Sequence, residues 1–447
     1  MSSLEFSDAV SATRAATGPG HGQFVLLGMP DVHGSVRGKA LRPGAFEDAI
    51  EKGAVMTDLL LALDPTDEPI TTYERFGIRS GAGDLVVHPD PATLRELSWL
   101  PGWRICLCTP FWPDGSACEL SSREALRAAL ERTAGQGYDA LAAFEYEVRV
   151  RDADDRPLSS GLSYSLGEIA RFERFIAALL PALETLGVEL AAVHTEAGPG
   201  LLELNIAARH GLQAADDAAF TKLAVKEVAA SMGLRASFLA KTSPGEEGSS
   251  GHVHLSCWSD GANAFAADHD GAGAELPVPF AGAIAGVLDH LPAASLMLNP
   301  TINSYKRLVP GWFAPVNVSW GHENRSCAVR AIRGAHGERW RIECRRPGAD
   351  ANPYLALAAL VAASADGLER GLTPPPPIVG DASERKDLTA LPGSLESALV
   401  AFDADAGFRR LLGERFCDYF RASRAWELDA WRQSVSDWEK ERYERAV

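Results

Sequence analysis

Apolar positions along this chain follow two periods, and the change from one to the other divides it. Between about residues 22 and 110, short runs rich in β-branched and aromatic residues, QFVLLGMPD, GDLVVHPD and WRICLCTPFW, alternate with Gly, Pro and Asp turns. Such bounded runs predict strands. One helical stretch is predicted among them, from Phe46 to Leu63, and residues 1–20 read as a short helix ending at Gly18-Pro19-Gly20. After the turn at Pro113-Asp114-Gly115 the period lengthens. Ser121-Ser122-Arg123-Glu124 forms a capping box that opens a helix at Ser122. RFERFIAALLPALETLG and AADDAAFTKLAVKEVAASMGL carry apolar residues at every third and fourth position, as amphipathic helices do. Asn352-Pro353 opens a further helix, because a first-turn proline gives up only an N–H that lacks a helical partner. Pro374 to Pro377 make a stiff break. The tail from Leu395 to Arg445 reads as helical, with Trp426, Trp431 and Trp438 as packing anchors. The pattern predicts an α+β protein, with a small, mostly antiparallel N-terminal domain over 18–112 and a large domain over 113–447.

Composition narrows the class without naming a function. A chain of 447 residues, 46% hydrophobic and 23% charged, has the make-up of a globular enzyme with large cores. Its formal net charge of −17 argues against nucleic acid or an anionic membrane as partner. Seven scattered cysteines without a CxxC pair suit free, buried thiols in a reducing cytoplasm. The N-terminus lacks the apolar core of a signal peptide, and no apolar run approaches the ~18 residues that span a bilayer. A soluble, cytoplasmic protein is expected.

The chemistry lies on the strands of the second part. On a strand, side chains two apart emerge on one face, roughly 6.5–7 Å from one another. Glu145-Tyr146-Glu147, His252-Val253-His254 and Arg341-Ile342-Glu343-Cys344-Arg345 each aim two or three polar groups into one space. Glu196 and Glu203 bracket the turn Ala197-Gly198-Pro199-Gly200, and Gly248 to Gly251 read as a flexible loop before the histidines. Together these give five carboxylates and a histidine able to cage hard divalent ions. An oxygen-rich set with one imidazole suits Mg²⁺ or Mn²⁺. Arginines beside such a cage handle phosphate or carboxylate through their fork of donors. The combination points to ATP-dependent acyl activation.

The strings HTEAGPGLLEL, GHVHLS, NPTINSYKRLVPGWFAP, ENRSCAVR and RIECRRPGADANPYLALAAL resemble, in order, the signature blocks of the glutamine synthetase family. The resemblance runs through nearly the whole chain. It implies a small β-grasp-like N-terminal domain, and a catalytic domain of glutamine synthetase type, with an antiparallel sheet and surrounding helices. It further implies an ATP site with two or more Mg²⁺ or Mn²⁺ ions that makes γ-glutamyl phosphate for attack by an amine. By position, Glu147, Glu196 and Glu203 match ligands of the metal nearer the glutamate. Glu145, His252 and Glu343 match those of the metal at the nucleotide phosphates. Arg307 and Arg345 match the arginines that hold the glutamate carboxylate and the transferring phosphate. Arg325 and Arg330 match the phosphate-stabilising pair, while His254, Ser256 and Arg341 match nucleotide contacts. Gly248 falls in the glutamate-binding loop. A homo-oligomer of two stacked six-subunit rings is a further implication.

The departures are concentrated around the amine. Where ammonia-using members carry a proton-accepting glutamate, this chain has Phe313, next to Trp312. The FDGSS-type block is missing, with Pro69 to Thr72 near its place, Glu247 replaces an asparagine, and Leu201 replaces a glutamine. Thr389 stands where adenylylated members carry tyrosine. A site that keeps its acids and arginines but loses its ammonium pocket implies γ-glutamylamide formation from glutamate and a small organic amine. The alternatives are an ammonia-using synthetase and a non-catalytic scaffold or regulator.

Overall fold

The computed structural model describes residues 23–266, 276–334 and 337–447. The helix expected over 1–20 lies outside them. Six strands form the first sheet: β1 (Phe24–Pro30), β2 (Val36–Leu41), β3 (Ala54–Thr57), β4 (Asp84–Pro89), β5 (Arg95–Glu96) and β6 (Trp103–Phe111), ordered β2-β1-β6-β4-β3 with β5 beside β6. The central β1–β6 pair is parallel and its neighbours are antiparallel. Leu27 lies opposite Cys106 there, and both are buried. The seven cysteines are free and buried. Burial pushes the Cys106 thiol up to about 12, out of reach of reactive thiolate chemistry.

The helix expected from Phe46 to Leu63 is instead three elements. A helix spans Pro43–Lys52, β3 follows, and a single 3₁₀ turn spans Asp58–Leu61. Gly53 stops the helix at φ 76, where a side chain would also strike Val86. The β-branched residues after it then pair with β4. Strand β2 escaped the hydrophobic pattern because it is a largely exposed edge strand. Its Gly38 sits too close to the Leu27 carbonyl for any side chain.

Ten strands form the second sheet: β7 (Asp139–Arg151), β8 (Leu190–Thr195), β9 (Leu201–Ile206), β10 (Arg209–His210), β11 (Arg235–Ser237), β12 (Gly251–Ser259), β13 (Ala262–Asn263), β14 (Trp320–His322), β15 (Val329–Ile332) and β16 (Arg341–Cys344). The main path is β14-β15-β16-β12-β7-β9-β8, antiparallel except for β14–β15. Register decides what this sheet can do. Glu145 lies opposite His252, Glu147 opposite Glu203, His194 opposite Glu203, and Glu343 opposite both His254 and Arg330. The expected capping box at 121–124 is half present. Ser121 caps the Ser122–Gly135 helix, but Glu124 turns to Arg127.

Behind the sheet, helices Val278–Leu298 and Pro353–Glu369 touch backbone to backbone. A side chain on Gly286 would lie 2.1 Å from the Ala363 carbonyl oxygen, so glycine sets the approach. The first of these helices is long and apolar enough to cross a membrane by length and composition, contrary to the reading of the bare sequence. It is a core helix here, with 83% of that window buried. Helices Leu395–Ala404, Ala406–Leu412, Glu414–Gln433 and Asp437–Tyr443 complete the tail. Trp426 packs against the core, but Trp431 and Trp438 are exposed, and Trp438 meets its local neighbours Arg442 and Tyr443 rather than the core.

Buried His290 joins three of these helices, with Nδ1 2.7 Å from Asp405 and Nε2 3.0 Å from Asp366. Burial opposes its charge, but the two hydrogen bonds outweigh that and raise the imidazole above its ordinary 6.5. Both partner carboxyls are held below the usual 3.8. The imidazolium's contribution is therefore full below 6.5 and lost as pH rises through its raised value. The carboxylates' contribution is present above 3.8 and lost as pH falls through their lowered values. His290→Gln should cost about 2–3 kcal/mol near pH 6, a charge-assisted hydrogen bond's worth, and progressively less as pH rises through the raised value of the imidazole. Denaturant unfolding across that range checks this; a gap independent of pH would contradict it.

Candidate functional site

Two carboxylate–histidine groups stand on the face of the second sheet. Glu145, His252 and Glu343 present ligand atoms within 4.8 Å of one another, as do His194, Glu196 and Glu203. Glu147 lies between them, opposite Glu203, and its carboxylate accepts the Ser250 N–H at 2.6 Å. All of these line one cavity of about 450 Å³, together with Gly248, Arg307, Trp312, Phe313, Arg325, Arg330 and Arg345. His254, Ser256 and Arg341 line an adjoining cavity of about 290 Å³ that shares Glu145. Every residue assigned from the sequence to a metal, nucleotide, glutamate, phosphoryl or amine role thus lines one of two spaces that share Glu145 and Asn205, while Leu201 and Thr389 line neither.

Crowding sets the electrostatics. Burial, then the charges of Glu145 and Glu147, push the Glu203 carboxyl up to about 8. Burial and the nearby Glu147 and Glu196 raise Glu247 as well. Glu343 goes the other way. It is almost fully buried, yet His254, Arg345 and His252 outweigh burial and pull it down to about 2. Arg330 Nη1 lies 2.9 Å from it, and Arg345 is bonded to its other oxygen. His252 Nδ1 is buried, has no hydrogen-bond partner among the described residues, and lies 3.6 Å from both Glu145 and Glu343. An orphaned ring nitrogen beside two carboxylates fits a hard divalent cation, as does the second group. Both groups could therefore hold a divalent ion, but the second gathers His194 with Glu196 and Glu203, whereas Glu147, the ligand expected there by resemblance, lines the same cavity outside either cluster.

The arginines divide by what already holds them. Arg307 is buried, and its guanidinium donates to the main-chain oxygens of Arg346 and Arg345 at 3.1 and 3.2 Å. Arg341 donates to His254 Nδ1 at 3.1 Å. Arg325 makes no hydrogen bond or ion pair among the described residues and keeps its whole fork for an incoming group. The loop before β12, read as flexible, is packed tight, with Ser249 and Ser250 buried. Gly248 is needed there, since a side chain would lie 2.4 Å from Arg307 Cγ. Ser256 accepts a hydrogen bond from the Trp258 indole at 3.0 Å. At the mouth, the Lys241 ammonium lies 4.3 Å from the Trp312 ring centre and pins that residue. Phe313 follows at φ 51 and is 64% exposed.

Among the lining residues not anticipated from the sequence are His194 and Tyr164. His194 is 3.0 Å from Glu196 and 3.5 Å from Glu203, and the Tyr164 ring stacks on it at 4.2 Å. His194-Thr195-Glu196 carries the same two-residue spacing as the other triplets and was open to that reading. Tyr164 sits in a loop at φ 53 with no periodic signal.

A family model described as glutamine synthetase, catalytic domain, matches residues 119–443. The chain belongs to the glutamine synthetase family. It is 35% identical to the gamma-glutamylethanolamide synthetase GlnA4 of Streptomyces coelicolor, over 97% of this chain and 95% of the relative. It is 34% identical to a glutamine synthetase of Thermus thermophilus, over 94% and 95%. Identity is also 34% to a glutamate–isopropylamine ligase of a Pseudomonas species, over 94% of each. Among solved structures, apo GmaS without ligand superposes with a TM-score of 0.84 at 27% identity, covering 98% of this chain and 99% of that one. The glutamine synthetase fold is thus present along the whole described chain.

Within this glutamine synthetase site, Glu203 is the most strained of the acids and gives the sharpest test. Glu203→Gln removes one repelling charge, so the metal-free protein should melt at a higher temperature at pH 8. The same change should weaken Mn²⁺ binding by roughly 10–100-fold, the loss typical even of residues that only support a ligand. Calorimetric Mn²⁺ titration and melting in EDTA measure both. Unchanged Mn²⁺ affinity would remove Glu203 from the metal site.

Proposed function

We propose that this chain is an ATP-dependent ligase that activates the γ-carboxylate of glutamate as an acyl phosphate and joins it to a small organic amine. One observation carries the reading. The acids and arginines that phosphoryl transfer needs converge on one pocket, while a phenyl ring stands at its mouth. The names of the ethanolamide and isopropylamine relatives support it.

In this reading Glu147, Glu196 and Glu203 hold one Mg²⁺ or Mn²⁺, and Glu145, His252 and Glu343 hold a second. Such ions, when bound, neutralise charge on the transferring phosphoryl group. His254, Ser256 and Arg341 face the nucleotide. Arg307 and Arg345 orient the glutamate, with Gly248 letting the loop approach it. Arg325 and Arg330 stabilise the phosphoryl oxygens, and the uncommitted fork of Arg325 does so without giving up an existing partner. Trp312 and Phe313 wall the amine side. Their apolar faces exclude water from the acyl phosphate and favour the neutral, attacking form of the amine. The exposed Trp431 and Trp438 support a homo-oligomer, whose contacts would cover them.

The deciding experiment measures glutamate-dependent ADP release with ammonium and with a panel of organic amines, with mass spectrometry of the product. An organic amine should be preferred. Preference for ammonium would return the chain to the glutamine-forming members, and no turnover with any amine would make it a non-catalytic relative. Phe313→Glu restores a charge and a proton acceptor, and should shift the turnover ratio towards ammonium. An unchanged ratio would place Phe313 outside the amine site. Arg325→Ala should lower kcat by an amount worth about 3–4 kcal/mol, and Arg325→Lys should not rescue it, since a point charge lacks the planar fork.

A further inference from the structure

A second cavity, of about 780 Å³, opens beside the acid pocket and shares Phe313, Ala314 and Arg325 with it. We propose that this cavity receives the apolar substituent of the amine, so that the preferred substrates are primary monoamines bearing an alkyl or aryl group of three or more carbons. The inference rests on the ligase reading above and adds the substrate class.

The argument starts from which polar groups are already committed. Asn324 donates to the main-chain oxygens of Ile378 and Gly380 at 3.1 and 2.8 Å, and accepts from the Ser326 hydroxyl at 2.7 Å. Glu323 accepts from Arg330 at 2.6 Å and from the Arg333 N–H at 2.9 Å. His322 is bonded to Arg333 at 2.7 Å, and Asp381 accepts the Ser383 N–H at 2.8 Å. Besides the free fork of Arg325, which both cavities share, the Ser383 hydroxyl and the exposed Asp381 carboxylate, what the walls offer is apolar: the phenyl of Phe313, Ala314, Pro377, Ile378 and Val379. Val379 is 90% exposed and Phe313 64%, so these surfaces face water within the chain. Filling the cavity with hydrocarbon would remove that surface from water. Pro377, the last residue of the stiff Pro374–Pro377 run, lines this cavity beside Ile378.

The placement of Phe313 supports the same occupant. A bulky residue at φ 51 is a costly conformation that persists only where the surroundings impose it. Lys241 clamps Trp312 on the acid side. The next side chain is then left as the partition between the two spaces. An amine nitrogen on the acid side would carry its substituent past that ring. An alkyl or aryl substituent would enter the space lined by Ile378 and Val379, while methylamine or ammonium leaves it unfilled.

The test uses the full chain with ATP, Mg²⁺ and glutamate, and the series methylamine, propylamine, hexylamine and 1,6-diaminohexane. Each methylene up to six carbons should raise kcat/KM about three- to fourfold, the value of burying one CH₂. Val379→Asp, a surface change whose fold is checked by its melting temperature, should lower the hexylamine-to-methylamine ratio by at least about fivefold, because a carboxylate keeps the cavity wet. A flat series, preference for the diamine over hexylamine, or an unchanged ratio in Val379→Asp would each overturn the inference. In those cases turnover with amines still stands and the ligase reading survives. If no amine, methylamine included, supports glutamate-dependent ADP release, the ligase reading fails and takes this inference with it.

Discussion

Repulsion among carboxylates on a single sheet face is the constraint around which this protein is arranged. Strand register brings Glu147 opposite Glu203 and Glu145 opposite His252, and burial denies these charges the screening that water would give. The raised Glu203 carboxyl records that stress, and the lowered Glu343 carboxyl records how arginine relieves it locally. Such a face is not a stable resting arrangement for anions alone. It is a site shaped for cations, and its stability is linked to whatever binds there. The apolar helix pair behind the sheet is what lets the structure tolerate it. Helices packed through Gly286 and Gly367 bury a continuous core directly beneath the strands.

How much of this was legible depends on whether a feature is written locally. Two-residue spacing is local, so Glu145 with Glu147, His252 with His254, and Arg341 with Glu343 could be paired by inspection. Register is not local. Nothing in the chain near Glu147 says that Glu203 will face it, and only the family resemblance joined them beforehand. Where the local signal misled, a single residue overrode it. The apolar run around Leu59 to Leu63 suggested helix, but Gly53 at positive φ turned the chain into β3 first. His194 was legible and overlooked, since the carboxylates beside it took the argument. The tail shows the opposite failure. Tryptophan usually marks a buried anchor, yet Trp431 and Trp438 face solvent within this chain.

The mouth of the site was the least legible part, because it is assembled from loops. Lys241, Trp312, Phe313 and the 377–380 segment meet through turns without any repeating pattern. Here the sequence could say only that a phenyl had replaced a glutamate. The geometry adds that the ring borders two spaces of contrasting chemistry, one crowded with carboxylates and one walled in large part by apolar side chains.

That division separates two requirements that would otherwise conflict. Phosphoryl transfer needs fixed charges held in a water-poor space, where they act at full strength. Amine attack needs a nucleophile that has lost its proton, which a strongly anionic pocket would oppose by stabilising the ammonium form. A family member that relies on ammonium can use an acidic group to attract and then deprotonate it. In the proposed ligase, Phe313 at that position would leave the device out, and the neutral amine would have to be selected by other means. Apolar contact with a substituent is such a means, because it contributes affinity without adding negative charge near the acyl phosphate. On this view the loss of one carboxylate and the opening of an apolar side cavity are a single change. Each would be of little use without the other.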